Sequence, residues 1–171
     1  MFADTTLLTQ NVLMRRFFFD TYIATHGMTV CTCPSCGYPT LDTRGEYDIC
    51  DVCNWEDDGQ DDANADDVLG FSPNGGISLT ESRLCIAYEL LIRESPASRV
   101  WGTGSGDDLE AGATAVLTAL ARCRDEKARL AAVMAKDCSE ENCQLYERLG
   151  DDLITALAEI GSRFQAVIAW D

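Results

Sequence analysis

The stretch CTCPSCGYPTLDTRGEYDICDVCNWEDDGQDDANADD, residues 31–67, carries five of the nine cysteines of this 171-residue chain and 11 of its 29 acidic residues. Cys33 and Cys36 form one CxxC pair, Cys50 and Cys53 a second, with 13 residues between them. A CxxC knuckle presents two sulfurs on one tight turn, and two knuckles complete a tetrahedron of thiolates around Zn²⁺ with no position left for water. Such a closed site is structural. Unmetallated thiols and a redox dithiol are the competing readings; against the second, neither pair precedes a helix in a βαβ pattern. Cys31 can replace Cys33 only by breaking the regular knuckle. Trp55, directly after the second pair, reads as a plug packed on the module.

The flanks fix the local structure. TVCTCPSCGYPTL and EYDICDVCNWE surround each knuckle with β-formers and turn residues, so residues 29–55 read as two short hairpins, the layout of a zinc ribbon. Residues 56–77 follow as an acidic loop. SLTE, residues 78–81, is a capping box, which starts a helix running to Glu94 with Leu84, Tyr88, Leu91 and Ile92 as its apolar stripe. Upstream, residues 5–25 read as a helix displaying Leu7, Val12, Phe17 and Phe18, ended by Gly27, with a strand over Phe17 to Tyr22 as the alternative. His26, the one histidine, then serves the helix end.

SPASRVWGTGSG is a flexible connection in which Trp101 is docked or available to a partner. Beyond it, Leu109, Val116, Leu117, Leu120, Leu130, Val133 and Met134 repeat at helical spacing up to Lys136. A second helix follows from Glu140 to Trp170 on Leu145, Leu149, Leu153, Leu157, Ile160, Phe164 and Val167. The fold class is therefore α+β and mainly helical: an N-terminal helical segment (1–28), a zinc-ribbon-like module with its following helix (29–94), a linker (95–106) and a helical hairpin (107–171). Cys85 and Cys123 read as small buried hydrophobes, and Cys138 and Cys143 as thiols too far apart in sequence for a knuckle.

Charge narrows the partners. With 13 basic against 29 acidic residues the net is −16. Residues 30–80 hold 11 acids and one base, Arg44; residues 1–29 balance, and residues 81–171 hold 16 acids and 10 bases. The cysteine module is the negative pole. A phosphate backbone repels such a surface, because nucleic-acid affinity rests on cations that release counterions. A basic cluster does occur in ARCRDEKAR (Arg122, Arg124, Lys127, Arg129), but acids interleave it. No apolar run reaches the roughly 18 residues of a membrane span, and no signal-type segment is present, so a cytoplasmic protein is expected.

CPSCGYPTLDTRGEYDICDVCNWEDDGQDDANADDVLGFSPNGGISLTE resembles the bacterial cysteine-rich CPCC domain family, with its CPCCGY opening, CxVCxWEDDGQDD block and PNGGxSLxEAR-like end. The resemblance covers about residues 30–90. It departs at Ser35, where the family has the middle cysteine, which favours Cys33 and Cys36 as ligands. It implies a zinc-ribbon-like module and little chemistry.

The carboxylates of the acidic loop can hold a hard cation, face a basic protein, or cap turns in solvent. Asp57, Asp58, Asp61 and Asp62, with Trp101, are the candidate partner-binding residues; no catalytic set stands out. The expectation is a non-enzymatic acidic binding protein with structural Zn²⁺ and a basic protein partner. An immunity protein that neutralises a basic toxin, nucleases among them, fits that description. Two alternatives stay open: a zinc-ribbon module contacting nucleic acid or the transcription machinery, and a metalloenzyme using the Asp-rich loop.

Overall fold

The computed structural model describes residues 5–98, 100–101, 106–161 and 163–164. In chain order the elements are α1 (Thr5–His26), β1 (Cys31–Thr32), β2 (Pro39–Leu41), α2 (Leu79–Arg93), β3 (Val100–Trp101), α3 (Gly106–Met134), α4 (Glu140–Ile160) and β4 (Arg163–Phe164), with a 3-10 turn at Asp62–Asn64. This is a mainly helical α+β fold with a small cysteine-bearing β module. No helix among the described residues is long and apolar enough to cross a membrane.

The module is two copies of one local device. In the first, the Cys33 N–H donates to the Tyr38 carbonyl at 2.8 Å and the Gly37 N–H to the Cys33 carbonyl at 2.9 Å. In the second, the Cys50 N–H donates to the Trp55 carbonyl at 2.9 Å and the Asn54 N–H to the Cys50 carbonyl at 3.0 Å. The residue after each second cysteine turns left-handed, Gly37 at φ 75° and Asn54 at φ 57°. Glycine and asparagine are the residues that tolerate this region best. Antiparallel pairing of Cys31 with Leu41 and Thr32 with Pro39 closes the first hairpin, and an Ile49–Glu56 bridge closes the second.

At Gly37 there is no room for a side chain. An added Cβ would meet the Val12 carbonyl oxygen at 2.8 Å and the Arg16 nitrogen at 3.0 Å, both backbone atoms of α1. Gly37→Ala therefore combines a left-handed strain of about 1–2 kcal/mol with a backbone clash. It is expected to lower unfolding free energy in urea by at least about 2 kcal/mol. Gly75→Ala is the control, since that glycine also has positive φ (70°) but nothing lies within 4 Å of its Cβ position. It should cost only the backbone strain, so equal losses would contradict the packing of α1 on the first knuckle.

One buried cluster joins the module to the helices. Cys33, Cys36, Tyr38, Cys50, Val52 and Trp55 pack with Phe19 of α1, Leu79, Ile86 and Leu90 of α2, Val116 and Leu120 of α3, and Leu153 and Leu157 of α4. The capping box forms: Ser78 Oγ accepts from the Glu81 N–H, and the Glu81 carboxylate accepts from the Ser78 N–H.

The helix faces differ from the expected stripes. On α1 the buried residues are Leu8, Val12, Arg15 and Phe19, whereas Leu7 and Phe17 are exposed. Apolar side chains surround this helix, and the choice among them falls to whichever face meets the module. On α2, Ile86, Ala87 and Leu90 are buried together with Ser82 and Arg83, while Tyr88 and Ile92 are exposed. Cys85 is exposed rather than buried; Cys123 is buried. On α3 and α4, Val133 and Leu145 lie exposed near the hairpin turn.

The second hairpin helix stops at Ile160, not Trp170, because Gly161 takes φ 121° and leaves the helix. Phe164 then falls in β4, which pairs in parallel with β3, Val100 opposite Arg163 and Trp101 opposite Phe164. The connection expected to be flexible thus contributes a strand. Val167 and Trp170 lie outside the described residues, as do residues 102–105.

Candidate metal centre

The knuckles bring four sulfurs together. Cys33, Cys36, Cys50 and Cys53 place their Sγ atoms all within 4.8 Å of one another, three of the residues being buried and Cys53 half-buried. Cys33 and Cys53 are 3.6 Å apart, as are Cys36 and Cys50. Cys31 is outside the group, its thiol turned to the Asp42 carbonyl at 3.9 Å. Ser35 is buried at the tip of the first knuckle and shares a 2.7 Å hydrogen bond with Ser82 of α2.

The surroundings of the sulfurs suit thiolates. Cys50 Sγ accepts from the Val52 N–H at 3.4 Å and lies 3.0 Å from the Thr40 hydroxyl. Burial pushes the Cys33 and Cys36 thiols well above their ordinary value. At Cys50 burial acts in the same sense, but hydrogen bonds from Cys33, Cys36, Cys53 and Thr40 outweigh it and hold that thiol well below. Four thiols sharing one dry site do not all ionise on their own; a cation at their centre removes that penalty. The four cysteines are thus positioned to hold a metal ion with a closed, all-sulfur shell. Two knuckle hairpins carrying this cluster, followed by a capped helix, match the family model described as Cysteine-rich CPCC over residues 31–88.

Residues 31–88 are a cysteine-rich CPCC domain. No curated protein and no solved structure matches the chain.

Four acidic residues of the CPCC domain, Asp51, Asp57, Asp61 and Asp62, are engaged with cations of the chain. Asp57 is fully buried, and its Oδ2 accepts from Arg44 Nε and from the Gly45 N–H, each at 2.7 Å. Asp61 forms a two-pronged pair with Arg16 of α1 and a 3.1 Å contact to Arg44. Asp62 pairs with Arg16 and with the buried Arg83 of α2. Asp51 pairs with Arg124 at 2.9 Å and Lys127 at 3.3 Å, both on α3. Asp58 accepts from the Ser72 hydroxyl at 2.8 Å and the Gln60 N–H at 3.1 Å.

Asp57 therefore cannot face a partner. Burial and the Arg44 pair make it part of the domain's interior. Asp58, Asp61 and Asp62 keep partial exposure, yet each is already bonded within the chain. The hydrogen bond from Arg16 holds the Asp61 carboxyl well below the usual carboxylate range. Its contribution to stability is fully present above an unfolded-state pKa of about 3.9 and is lost as pH falls below that value. Trp101 lies away in sequence from the domain, its backbone paired in β3.

Three arginines, one on each of α1, α2 and α3, hold the first knuckle against the helices. Arg15 of α1 donates to the Cys36 carbonyl at 2.8 Å and lies 4.5 Å over the Tyr38 ring. Arg83 of α2 donates to the Pro34 carbonyl at 2.9 Å. Arg124 of α3 donates to the Thr40 carbonyl. Each helix thereby satisfies a carbonyl in or beside the first knuckle, and Arg83 and Arg124 also carry an aspartate of the domain. The sequence signal for this was the charge split itself: a module with 11 acids and a single base has aspartates to pair with cations from the helices. His26 stays at the end of α1, stacked on Tyr22 and 3.3 Å from Glu110.

Proposed function

We propose that the chain is a non-enzymatic acidic binding protein built on a structural zinc site, and that it neutralises a basic bacterial toxin, a nuclease in the first instance, by occupying its positively charged cleft. For zinc, a tetrathiolate with Zn–S of about 2.3 Å has sulfur–sulfur edges of about 3.8 Å. The two 3.6 Å pairs at Cys33–Cys53 and Cys36–Cys50 lie close to that. Zinc bound by these four cysteines supplies folding energy and leaves no position for substrate.

The binding reading is carried by one observation. Seven carboxylates of the domain, Asp42, Glu46, Asp48, Glu56, Asp58, Asp66 and Asp67, form no ion pair among the described residues. They are interleaved with the exposed apolar side chains of Tyr47, Ile49, Val68, Leu69 and Phe71. Asn74 holds these segments side by side, accepting from the Glu56 N–H and donating to the Glu56 carbonyl at 2.9 Å each, while Ser72 binds Asp58. Apolar anchors with a charged rim are the composition of a protein-binding surface, and its sign selects a basic partner. The metalloenzyme alternative draws no support from this arrangement, because Asp57, Asp61 and Asp62 are taken by arginines.

The partner to assay is a basic toxin encoded beside this protein's gene. The side chains of Asp42, Glu46, Glu56 and Asp67 make no hydrogen bond or ion pair among the described residues, so neutralising all four to their amides leaves the fold alone. Association with the toxin should slow by about tenfold or more at low salt, and its salt dependence should shrink, with metal content and melting temperature unchanged. Undiminished association by the quadruple variant would remove this surface from the proposal. Binding of the parent protein to arbitrary duplex DNA at micromolar concentration and physiological salt would overturn the partner class.

A further inference from the structure

Two thiols that the metal centre does not use lie together at the turn between α3 and α4. Cys138 Sγ and Cys143 Sγ are 3.9 Å apart, Cys138 exposed and Cys143 half-buried. The N-cap of α4 is Ser139, so Cys138 occupies the position before the cap and Cys143 the fourth helical position. These are the two positions whose side chains meet in a hydrophobic staple. Backbone and side-chain bonds hold them in place: Ser139 Oγ accepts from the Asn142 N–H at 3.4 Å, the Ser139 carbonyl from the Cys143 N–H at 3.1 Å, and the Asp137 carbonyl from Asn142 Nδ2 at 2.9 Å. Two apolar side chains would suffice for a staple; two thiols add the capacity for a bond.

We propose that Cys138 and Cys143 form a reversible disulfide that locks the first turn of α4 to the α3–α4 connection, with a low-molecular-weight disulfide such as oxidised glutathione as the oxidant. This goes beyond the binding role and does not depend on it. The sulfurs need to close from 3.9 Å to a bond of about 2.05 Å. Cys138 attacks first, as the more exposed thiol and the one whose hydrogen bond pushes the Cys143 thiol up. Its thiolate breaks the small disulfide, forms a mixed disulfide and releases one small thiolate, which takes up a proton. Cys143 then gives its proton to solvent, and its thiolate attacks Cys138 Sγ and expels the second small thiolate, which takes up a proton. Overall, two protein thiols lose two electrons and two protons, and the small disulfide gains both as two thiols.

Outside the metal centre the remaining cysteines lack such a partner among the described residues, Cys31 having its thiol on the Asp42 carbonyl at 3.9 Å. Cys85 is exposed on α2 with no thiol bonded to it among the described residues, and Cys123 is buried with its thiol on the Leu149 carbonyl at 3.6 Å. Selectivity for the hairpin pair follows.

The test uses the full, metal-loaded, reduced chain incubated with oxidised glutathione at neutral pH, then alkylated, digested and weighed. The fragments carrying Cys138 and Cys143 should be joined by a disulfide, resist alkylation at both positions and regain it after dithiothreitol. Cys143→Ser should stop at a glutathione adduct on Cys138. An adduct that accumulates on Cys138 of the parent without the link, or a link that forms only in urea, would overturn the proposal. Amide exchange of Asn142 and Cys143, whose N–H groups donate to Ser139, should slow by about tenfold on oxidation, since opening of that turn is then restrained. Unchanged exchange would refute the lock.

Discussion

Replacing Cys50 with serine is expected to unfold residues 31–88 and to release the bound metal. Cys50 is fully buried, and its sulfur lies 3.6 Å from Cys36 Sγ, accepts from the Val52 N–H and touches the Thr40 hydroxyl. A serine oxygen there is a poor third-row-sulfur substitute in a soft, four-thiolate shell and leaves the remaining sulfurs without a closed site. Metal binding at such centres contributes about 10–16 kcal/mol in isolated zinc modules, more than the roughly 5–15 kcal/mol that separates most folded domains from unfolded chains. Loss should spread into the helices, because Cys33, Cys36 and Cys50 share one cluster with Phe19, Leu79, Val116 and Leu153. Elemental analysis and thermal unfolding of the purified variant, beside Cys31→Ser, make the test. Cys31→Ser should keep its metal and melt like the parent, since Cys31 lies outside the cluster. A Cys50→Ser protein with a full metal equivalent and parental melting would show that the centre is not what holds the knuckles.

The second large effect is expected at Arg44. Asp57 has no solvent exposure, and Arg44 and the Gly45 N–H are the donors to its Oδ2. Its Oδ1 and the neighbouring Trp55 Nε1 and Gln60 Oε1 have no protein hydrogen-bond partner among the described residues. Arg44→Met would strand a buried carboxylate with one strong donor, which in comparable sites costs about 3–5 kcal/mol. The arginine is itself partly exposed, so Asp57→Asn, which keeps an acceptor for both donors, should cost less. Combining the two should be less damaging than the sum of the single changes, because the double variant no longer buries an unpaired charge. Urea unfolding of the three variants measures this directly. A loss below about 1 kcal/mol for Arg44→Met would mean that the pair is a surface contact.

Both expectations bear on why a cysteine module is wrapped in carboxylates. Part of the acidity belongs to the scaffold: Asp57 pairs with Arg44 inside the domain, and Asp51, Asp61 and Asp62 reach Arg16 of α1, Arg83 of α2, and Arg124 and Lys127 of α3. The remainder, centred on Asp42, Glu46, Glu56 and Asp67, is unpaired among the described residues and forms the surface proposed for a partner. Residues that look alike in a run of EDDGQDD therefore divide into interior and exterior groups within five positions: Asp57 is buried and Asp62 is exposed.

Features governed by neighbouring residues were determined by the sequence alone. CxxC followed by glycine or asparagine and then an aromatic residue specifies a knuckle, because one left-handed residue and two backbone bonds close the turn wherever the rest of the chain goes. SLTE specified the start of α2 for the same reason: both capping bonds join residues three apart. Choices between equivalent local solutions passed to the tertiary structure. Leu7, Leu8, Val12, Phe17 and Phe19 all suit a helix, and only the close approach of α1 to Gly37, with Arg15 reaching the Cys36 carbonyl, decides that Leu8, Val12, Arg15 and Phe19 turn inward. Asp57 and Asp58 are likewise equivalent in sequence, and the pairing of Asp57 with Arg44 buries one of them. Burial of an ion pair depends on where the oppositely charged group arrives in space, and for Asp51, Asp61 and Asp62 that group comes from helices 21 to 76 residues away. No local pattern carries that information, because it exists only once the helices have closed around the knuckles.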